Sequence, residues 1–114
     1  MILAALLLGA ALVAGVCALF WNTIHDFLKR AAEKVKAAVK GVYYAAKVLS
    51  KKIREGVQEI TKHYSRVEDH WQETTVVKKE LISVDELPDS VRTARIGVEI
   101  DISDELAMQL KQSN

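Results

Sequence analysis

Residues 28–71 read LKRAAEKVKAAVKGVYYAAKVLSKKIREGVQEITKHYSRVEDHW, with no proline and only two glycines, Gly41 and Gly56. Apolar or aromatic residues fall at Leu28, Ala32, Val35, Val39, Val42, Ala46, Leu49, Ile53, Val57, Ile60, Tyr64, Val67 and Trp71. The steps between them are 4, 3, 4, 3, 4, 3, 4, 4, 3, 4, 3, 4. That is a heptad seam with one stutter beside Gly56, and it predicts a near-continuous coiled-coil helix over 22–72. One helix cannot bury its own stripe, so the simplest partners are further copies of the chain. Val35, Val42 and Ile60 stand where a parallel dimer prefers Leu, and Ala31, Ala38 and Ala45 widen the apolar face. Both features favour more than two strands, and a homo-tetramer is expected. Its seam residues are Val35, Val39, Val42, Ala46, Leu49, Ile53, Val57 and Ile60.

Working outward, the preceding stretch MILAALLLGAALVAGVCALFW (1–21) carries no charged side chain. It lacks the basic start and small-x-small cleavage site of a secretory signal. Val16 before Cys17 is a poor lipoprotein site, and a single cysteine allows no intrachain disulfide. Roughly 20 apolar residues match a ~30 Å hydrocarbon core. Phe20 and Trp21 would form an interfacial belt, and Lys29 and Arg30 would stay on the cytoplasmic side. The expectation is a retained transmembrane helix with its N-terminus outside. Ala10, Ala14 and Ala18, with Gly15, supply the small-residue spacing that lets membrane helices approach.

The 114 residues allow one small domain plus appendages, and the net charge of +1 conceals a strong asymmetry. Residues 26–66 hold 11 Lys/Arg against 4 Asp/Glu, whereas residues 67–114 hold 5 against 11. On the expected helix, Lys40, Lys47, Lys51 and Arg54 share an outward face flanked by Lys52, with Tyr43 and Tyr44 interleaved. Such a face suits anionic lipid, the acidic C-terminal block, or the phosphates of a nucleic acid or nucleotide with tyrosines stacking on bases.

The last segment, 73–114, changes character. TTVVKKELISV (74–84) and IGVEIDIS (96–103) read as strands, DELPDSVRTAR (85–95) as a turn and short helix, and DELAMQLKQ (104–112) as a helix capped by Ser103. The fold class expected is therefore mainly α: a transmembrane helix (1–21), a basic helical stalk (22–72) and a small C-terminal α+β module (73–114).

No Gly-rich phosphate loop, HExxH, CxxC or Gly-x-Ser-x-Gly occurs, so no enzyme, cofactor or metal is expected. His63 and His70 lie one heptad apart; surface histidines without a role are the expectation, with pH-responsive rings in an oligomer as the alternative. Two function classes fit. One is a homo-oligomeric membrane channel or membrane-disrupting effector gated by its cytoplasmic part. The other is a single-pass scaffold that recruits a cytoplasmic partner.

An apolar N-terminus, a basic helical stretch and a small C-terminal module form a layout that resembles small membrane effector subunits of bacterial anti-phage defence systems, of the Hailong type. The resemblance rests on layout alone. It implies a location in the bacterial inner membrane and a channel held shut by a nucleic-acid or nucleotide ligand. A partner nucleotidyltransferase would make that ligand, and Lys40–Arg54 would bind it.

Overall fold

The computed structural model describes residues 2–4 and 12–113. Elements follow in the order β1 (Leu3–Ala4), α1 (Ala18–Ala38), β2 (Val42–Ile53), β3 (Gly56–Val67), β4 (His70–Glu80), α2 (Asp89–Arg92), β5 (Glu99–Asp101) and α3 (Ser103–Ser113), with a 3-10 turn at Val84–Glu86 before α2. The sheet is antiparallel in the order β1-β2-β3-β4, and β5 joins β2 on the same side as β1.

The mainly-α expectation is therefore wrong: the chain is α+β, and the expected stalk is helical only as far as Ala38. The heptad spacing misled because the inner face of the sheet is largely polar. Along β2 and β3 that face carries Ala46, Val48 and Ser50, then Val57, Glu59, Thr61, His63 and Ser65, all buried. Five of these eight are polar or charged, so the hydrophobic alternation that marks a strand is absent where it would have been diagnostic. Apolar residues instead come from both faces. Ala46 points inward and Leu49 outward, yet with Val42 before them they fall by chance on a 4-then-3 spacing.

Gly56 marks a turn, not a stutter. Ile53 pairs with Gly56 across the Arg54–Glu55 turn. A Cβ on Gly56 would stand 2.2 Å from the Glu80 carbonyl oxygen, so the β2–β3 corner passes directly over the end of β4. Gly41, in the α1–β2 connection, sits equally tight, with the Arg66 carbonyl oxygen 2.4 Å from where its Cβ would be.

The expected membrane span is not one helix. Leu3 and Ala4 pair with β2, Gly15 and Cys17 have positive φ, and α1 begins only at Ala18. No described helix is long and apolar enough to cross a membrane. α1 has 21 residues but carries Asp26, Lys29, Arg30, Glu33, Lys34 and Lys36. Phe20 and Trp21, expected at a membrane interface, are 0% and 2% exposed and pack edge-to-face at 5.1 Å inside the core. The single-pass location loses its physical basis with them. In the small-residue column, Ala14 and Gly15 precede the helix, Ala18 opens it, and Ala10 lies outside the described residues.

α1 lies across the inner face of the sheet. Phe20, Ile24, Leu28, Ala32 and Val35 recur at helical spacing on its buried side. The first four meet Val48 and Val57 from the sheet and Leu87, Val91, Ile102, Leu106 and Leu110 from the C-terminal segment in one cluster. The expected cap at Ser103 is also corrected. Ser103 is the first residue of α3, and its buried Oγ accepts from the Val48 backbone N–H at 2.8 Å, which fixes α3 to β2.

Gly56→Ala separates a sheet from a helical stalk. In an exposed helix the change would stabilise by ~1 kcal/mol. Here the clash with the Glu80 carbonyl should destabilise by ~2 kcal/mol or more, and a lowered urea midpoint is the expected result.

Candidate functional site

The two faces of the sheet differ. The inner one, under α1, encloses a chain of hydrogen bonds. The Tyr43 hydroxyl lies 2.8 Å from His63 Nδ1, His63 Nε2 lies 2.8 Å from Thr61 Oγ1, and Thr61 Oγ1 donates to the Val76 carbonyl at 3.5 Å. One direction satisfies all of them. Tyr43 donates to Nδ1, the Nε2–H donates to Thr61, and Thr61 donates onward, so His63 is neutral with its proton on Nε2. Burial pushes the His63 pKa down to about 4 and the Tyr43 hydroxyl up to about 12.

Four residues along β3 from His63, Glu59 is fully buried. Its Oε1 accepts from Ser50 Oγ at 3.1 Å, while Oε2 has no hydrogen-bond partner among the described residues. Burial raises the Glu59 carboxyl to about 8, opposed by the Ser50 hydrogen bond and assisted by nearby Glu80. The network is an interior polar ladder beneath α1. Among the described residues no group of three or more His, Cys, Asp and Glu could hold a metal ion.

The outer face is different in kind. No described helix lies over it. A register slip between Tyr43 and Ala45 turns Tyr43 inward and Tyr44 outward. Beyond it, Lys47, Leu49 and Lys51 on β2 stand opposite Lys62, Ile60 and Gln58 on β3, which in turn face Thr75, Val77 and Lys79 on β4. Leu49, Ile60 and Val77 make an apolar bar across the strands. Lys47 and Lys62 lie on one side of it, Lys51 and Lys79 on the other. Leu49 and Ile60 are only 5% and 6% exposed although no described helix lies over them, which fits lysine stems lying along the bar.

Past Lys47 and Lys62 the face ends in an aromatic corner. Tyr44 and Trp71 meet edge-to-face at 5.0 Å, and the Arg66 guanidinium lies 5.5 Å from the centre of the Trp71 ring. Tyr44, Tyr64, Trp71, Ala45 and Ile2 line a cavity of about 230 Å³ there. Tyr44 is 50% exposed and Trp71 57%.

Five cations (Lys47, Lys51, Lys62, Arg66, Lys79) share this face with three carboxylates, Glu73, Glu99 and Asp101. Two ion pairs on this face are loose. Lys47 stands 3.9 Å from Asp101 and Lys62 4.0 Å from Glu73, each lysine about one-third exposed. At such separations the ammonium groups stay available to other anions.

Of the residues that the helical reading grouped, only Lys47, Lys51 and Tyr44 share the open face. Tyr43 is inside the polar ladder. Lys52 points to the inner side and donates to the Arg92 carbonyl at 2.8 Å. Arg54 sits in the β2–β3 turn, and Lys40 is exposed in the α1–β2 connection. The expected oligomer seam is dispersed. Val35 is on α1, Val39 caps it, Val42 is exposed at the start of β2, Ala46 faces inward, and Ile53 ends β2. Val57 is in the core, and Leu49 and Ile60 lie on the outer face. Lys62, Tyr64, Arg66, Trp71 and Lys79 were missed. Lys62, Tyr64 and Arg66 alternate at i, i+2, i+4, a signal that exists only once the stretch is read as a strand.

No protein-family model, curated protein or solved structure matches this chain.

The interior ladder has a pH signature. Folded, Glu59 keeps its proton to about pH 8; unfolded, it releases it near 4.5. Between those values the folded state holds the extra proton, so folding weakens as pH rises. His63 protonates near 6.5 when unfolded but near 4 when folded, so folding weakens as pH falls through that window. The two slopes cancel where the windows overlap. Stability from these groups should be flat between pH ~4.5 and ~6.5 and should drop by ~2 kcal/mol from pH ~6.5 to ~8, at ~1.4 kcal/mol per pH unit. Glu59→Gln should remove the alkaline drop in urea titrations. A wild-type stability that climbs from pH ~6 to ~8 would contradict the buried neutral carboxyl.

Proposed function

We propose that the chain is a non-catalytic binding module and that its open sheet face holds single-stranded nucleic acid. The observation that carries this is the placement of Lys47, Lys51, Lys62 and Lys79 around an apolar bar, with the Tyr44–Trp71–Arg66 corner at one end of the same face. Phosphates need cations spaced along a track, and unpaired bases need an exposed aromatic or apolar surface. An open antiparallel sheet face supplies both, because alternate residues of neighbouring strands point the same way. The open face does not match duplex DNA, since no described helix or ribbon projects from it to enter a groove.

This reading keeps the ligand-binding half of the channel expectation. The conducting half rested on a helical span over 1–21 and is not carried forward. The scaffold alternative loses its single-pass anchor for the same reason.

The test is fluorescence anisotropy of a labelled oligo-dT against the full chain. Contacts from four lysines imply a slope of about −3 in log affinity against log salt, taking ~0.7 per phosphate for a single strand. Trp71→Ala should weaken binding by about tenfold, within the range for one lost stacking partner. Lys47→Glu with Lys62→Glu should abolish binding while leaving the far-UV circular dichroism of the fold unchanged. Intrinsic fluorescence gives a second readout, since Trp71 is exposed and Trp21 is 2% exposed, so quenching should vanish in Trp71→Phe. No binding at ~20 mM salt, where phosphate contacts are strongest, would refute the proposal.

A further inference from the structure

The two edges of the sheet are not equivalent. The outer side of β2 is covered by β1 and β5. β4, with 11 residues, pairs with β3 on one side, and no described strand pairs with its other side. Hydrogen bonds at the opposite edge fix which main-chain groups of β4 are free. The Val48 N–H donates to Ser103 Oγ and its carbonyl accepts from the Ile102 N–H, so the Val48 main chain faces away from β3. In antiparallel sheets this orientation alternates from residue to residue. Thr61, opposite Val48, therefore turns its main chain to β4 and bonds with Val76. By the same alternation the N–H and C=O of Glu73, Thr75, Val77 and Lys79 point out of the free edge.

The residues on that edge are complementary to themselves. When two copies of β4 run antiparallel about a two-fold axis at Val76, Thr75 stands opposite the partner's Val77. Glu73 then stands opposite the partner's Lys79, and both relations occur twice. All four pairs are made by residues whose main-chain groups point outward. Each pair joins side chains on the same face of the sheet, as a two-fold axis normal to it demands. Sliding the axis to Thr75 would set Glu73 against Val77 and Trp71 against Lys79, and both ion pairs would be lost. On the inner side, Val76 and the partner's Val76 would meet beside a groove of about 260 Å³. Phe27 and Ala31 of α1 form its apolar wall.

We infer that the chain forms a two-fold dimer through β4, antiparallel and centred on Val76, which joins the two sheets into one with both α1 helices on the same side. Eight main-chain hydrogen bonds are available in this register, two for each of the four pairs. The TTVV centre of the edge supplies β-branched contacts, and the Glu73–Lys79 pairs select the register. The inference does not depend on nucleic-acid binding, although it would run the lysine rows of both copies across one platform. Two copies replace the four implied by a helical seam.

Sedimentation velocity of the full chain in the absence of nucleic acid tests it. Wild type should sediment at twice the 12.7 kDa chain mass. Val77→Pro removes an N–H that points out of the edge and leaves the β3–β4 ladder intact, so this variant should be a folded monomer with wild-type circular dichroism. Glu73→Lys and Lys79→Glu should each weaken the dimer by about tenfold, as like charges then oppose one another, and the double reversal should restore it. A wild-type monomer at every concentration, a dimer that survives Val77→Pro, or a double reversal no better than the single variants would each overturn the inference. Because no oligonucleotide is present, failure here is distinct from failure of the binding reading.

Discussion

The structure depends on covering one face of a three-stranded meander. β2, β3 and β4 are long, and a sheet of this size in water is stable only when one face is buried. α1 supplies the cover with Phe20, Ile24, Leu28 and Ala32, and the C-terminal segment completes it with Leu87, Val91, Ile102, Leu106 and Leu110. What is unusual is the surface being covered. Between the apolar ends of that face lie Ser50, Glu59, Thr61 and His63, which are removed from water and given partners within the sheet itself. A buried polar group costs a few kcal/mol unless it is hydrogen-bonded. Tyr43, brought inward by the register slip, closes the His63 end of the ladder, and Ser50 closes one oxygen of Glu59. The remaining Glu59 oxygen is accommodated by keeping the carboxyl protonated.

The same arrangement explains what the sequence did and did not reveal. The C-terminal helix was legible, because Leu106 and Leu110 fall on one face four residues apart beside a charged surface. The short strand around Ile100 was legible in its alternation, although only Glu99–Asp101 pairs and Ile96 remains exposed. β2 and β3 were not legible. Their inner positions are polar, their outer positions mix Leu and Ile with Lys, and the sum resembles an amphipathic helix. The β-branched content of Val57, Ile60, Thr61 and Val67 and the tight corner at Gly56 were the available strand signals, and period-7 spacing outweighed them. The apolar start misled for a related reason. Phe20 and Trp21 are as hydrophobic as a membrane interface requires, but their burial comes from the chain's own sheet and C-terminal helix.

The face proposed to bind a ligand was half legible. Basic and aromatic residues between Lys40 and Arg54 are evident in the sequence, but a helix would place Lys47, Lys51 and Arg54 together, whereas a strand places Lys47 with Leu49 and Lys51. Their true neighbours, Lys62, Lys79 and Trp71, come from two other strands and are set by register. The proposed function is a property of the sheet and not of any single segment. Covering the inner face takes up α1, and no described helix is left over the outer one.

Everything rests on residues 42–80 being three antiparallel strands. Residue-resolved amide hydrogen exchange with backbone chemical shifts tests this directly. The account requires strand-type shifts over 42–53, 56–67 and 70–80, with breaks at 54–55 and 68–69. The slowest exchange should fall on central-strand amides that bond to β4, such as that of Thr61, and rapid exchange on the outward-pointing amides of β4 at low protein concentration. Continuous helical shifts from residue 28 to residue 71, with protection repeating at the heptad seam, would contradict it.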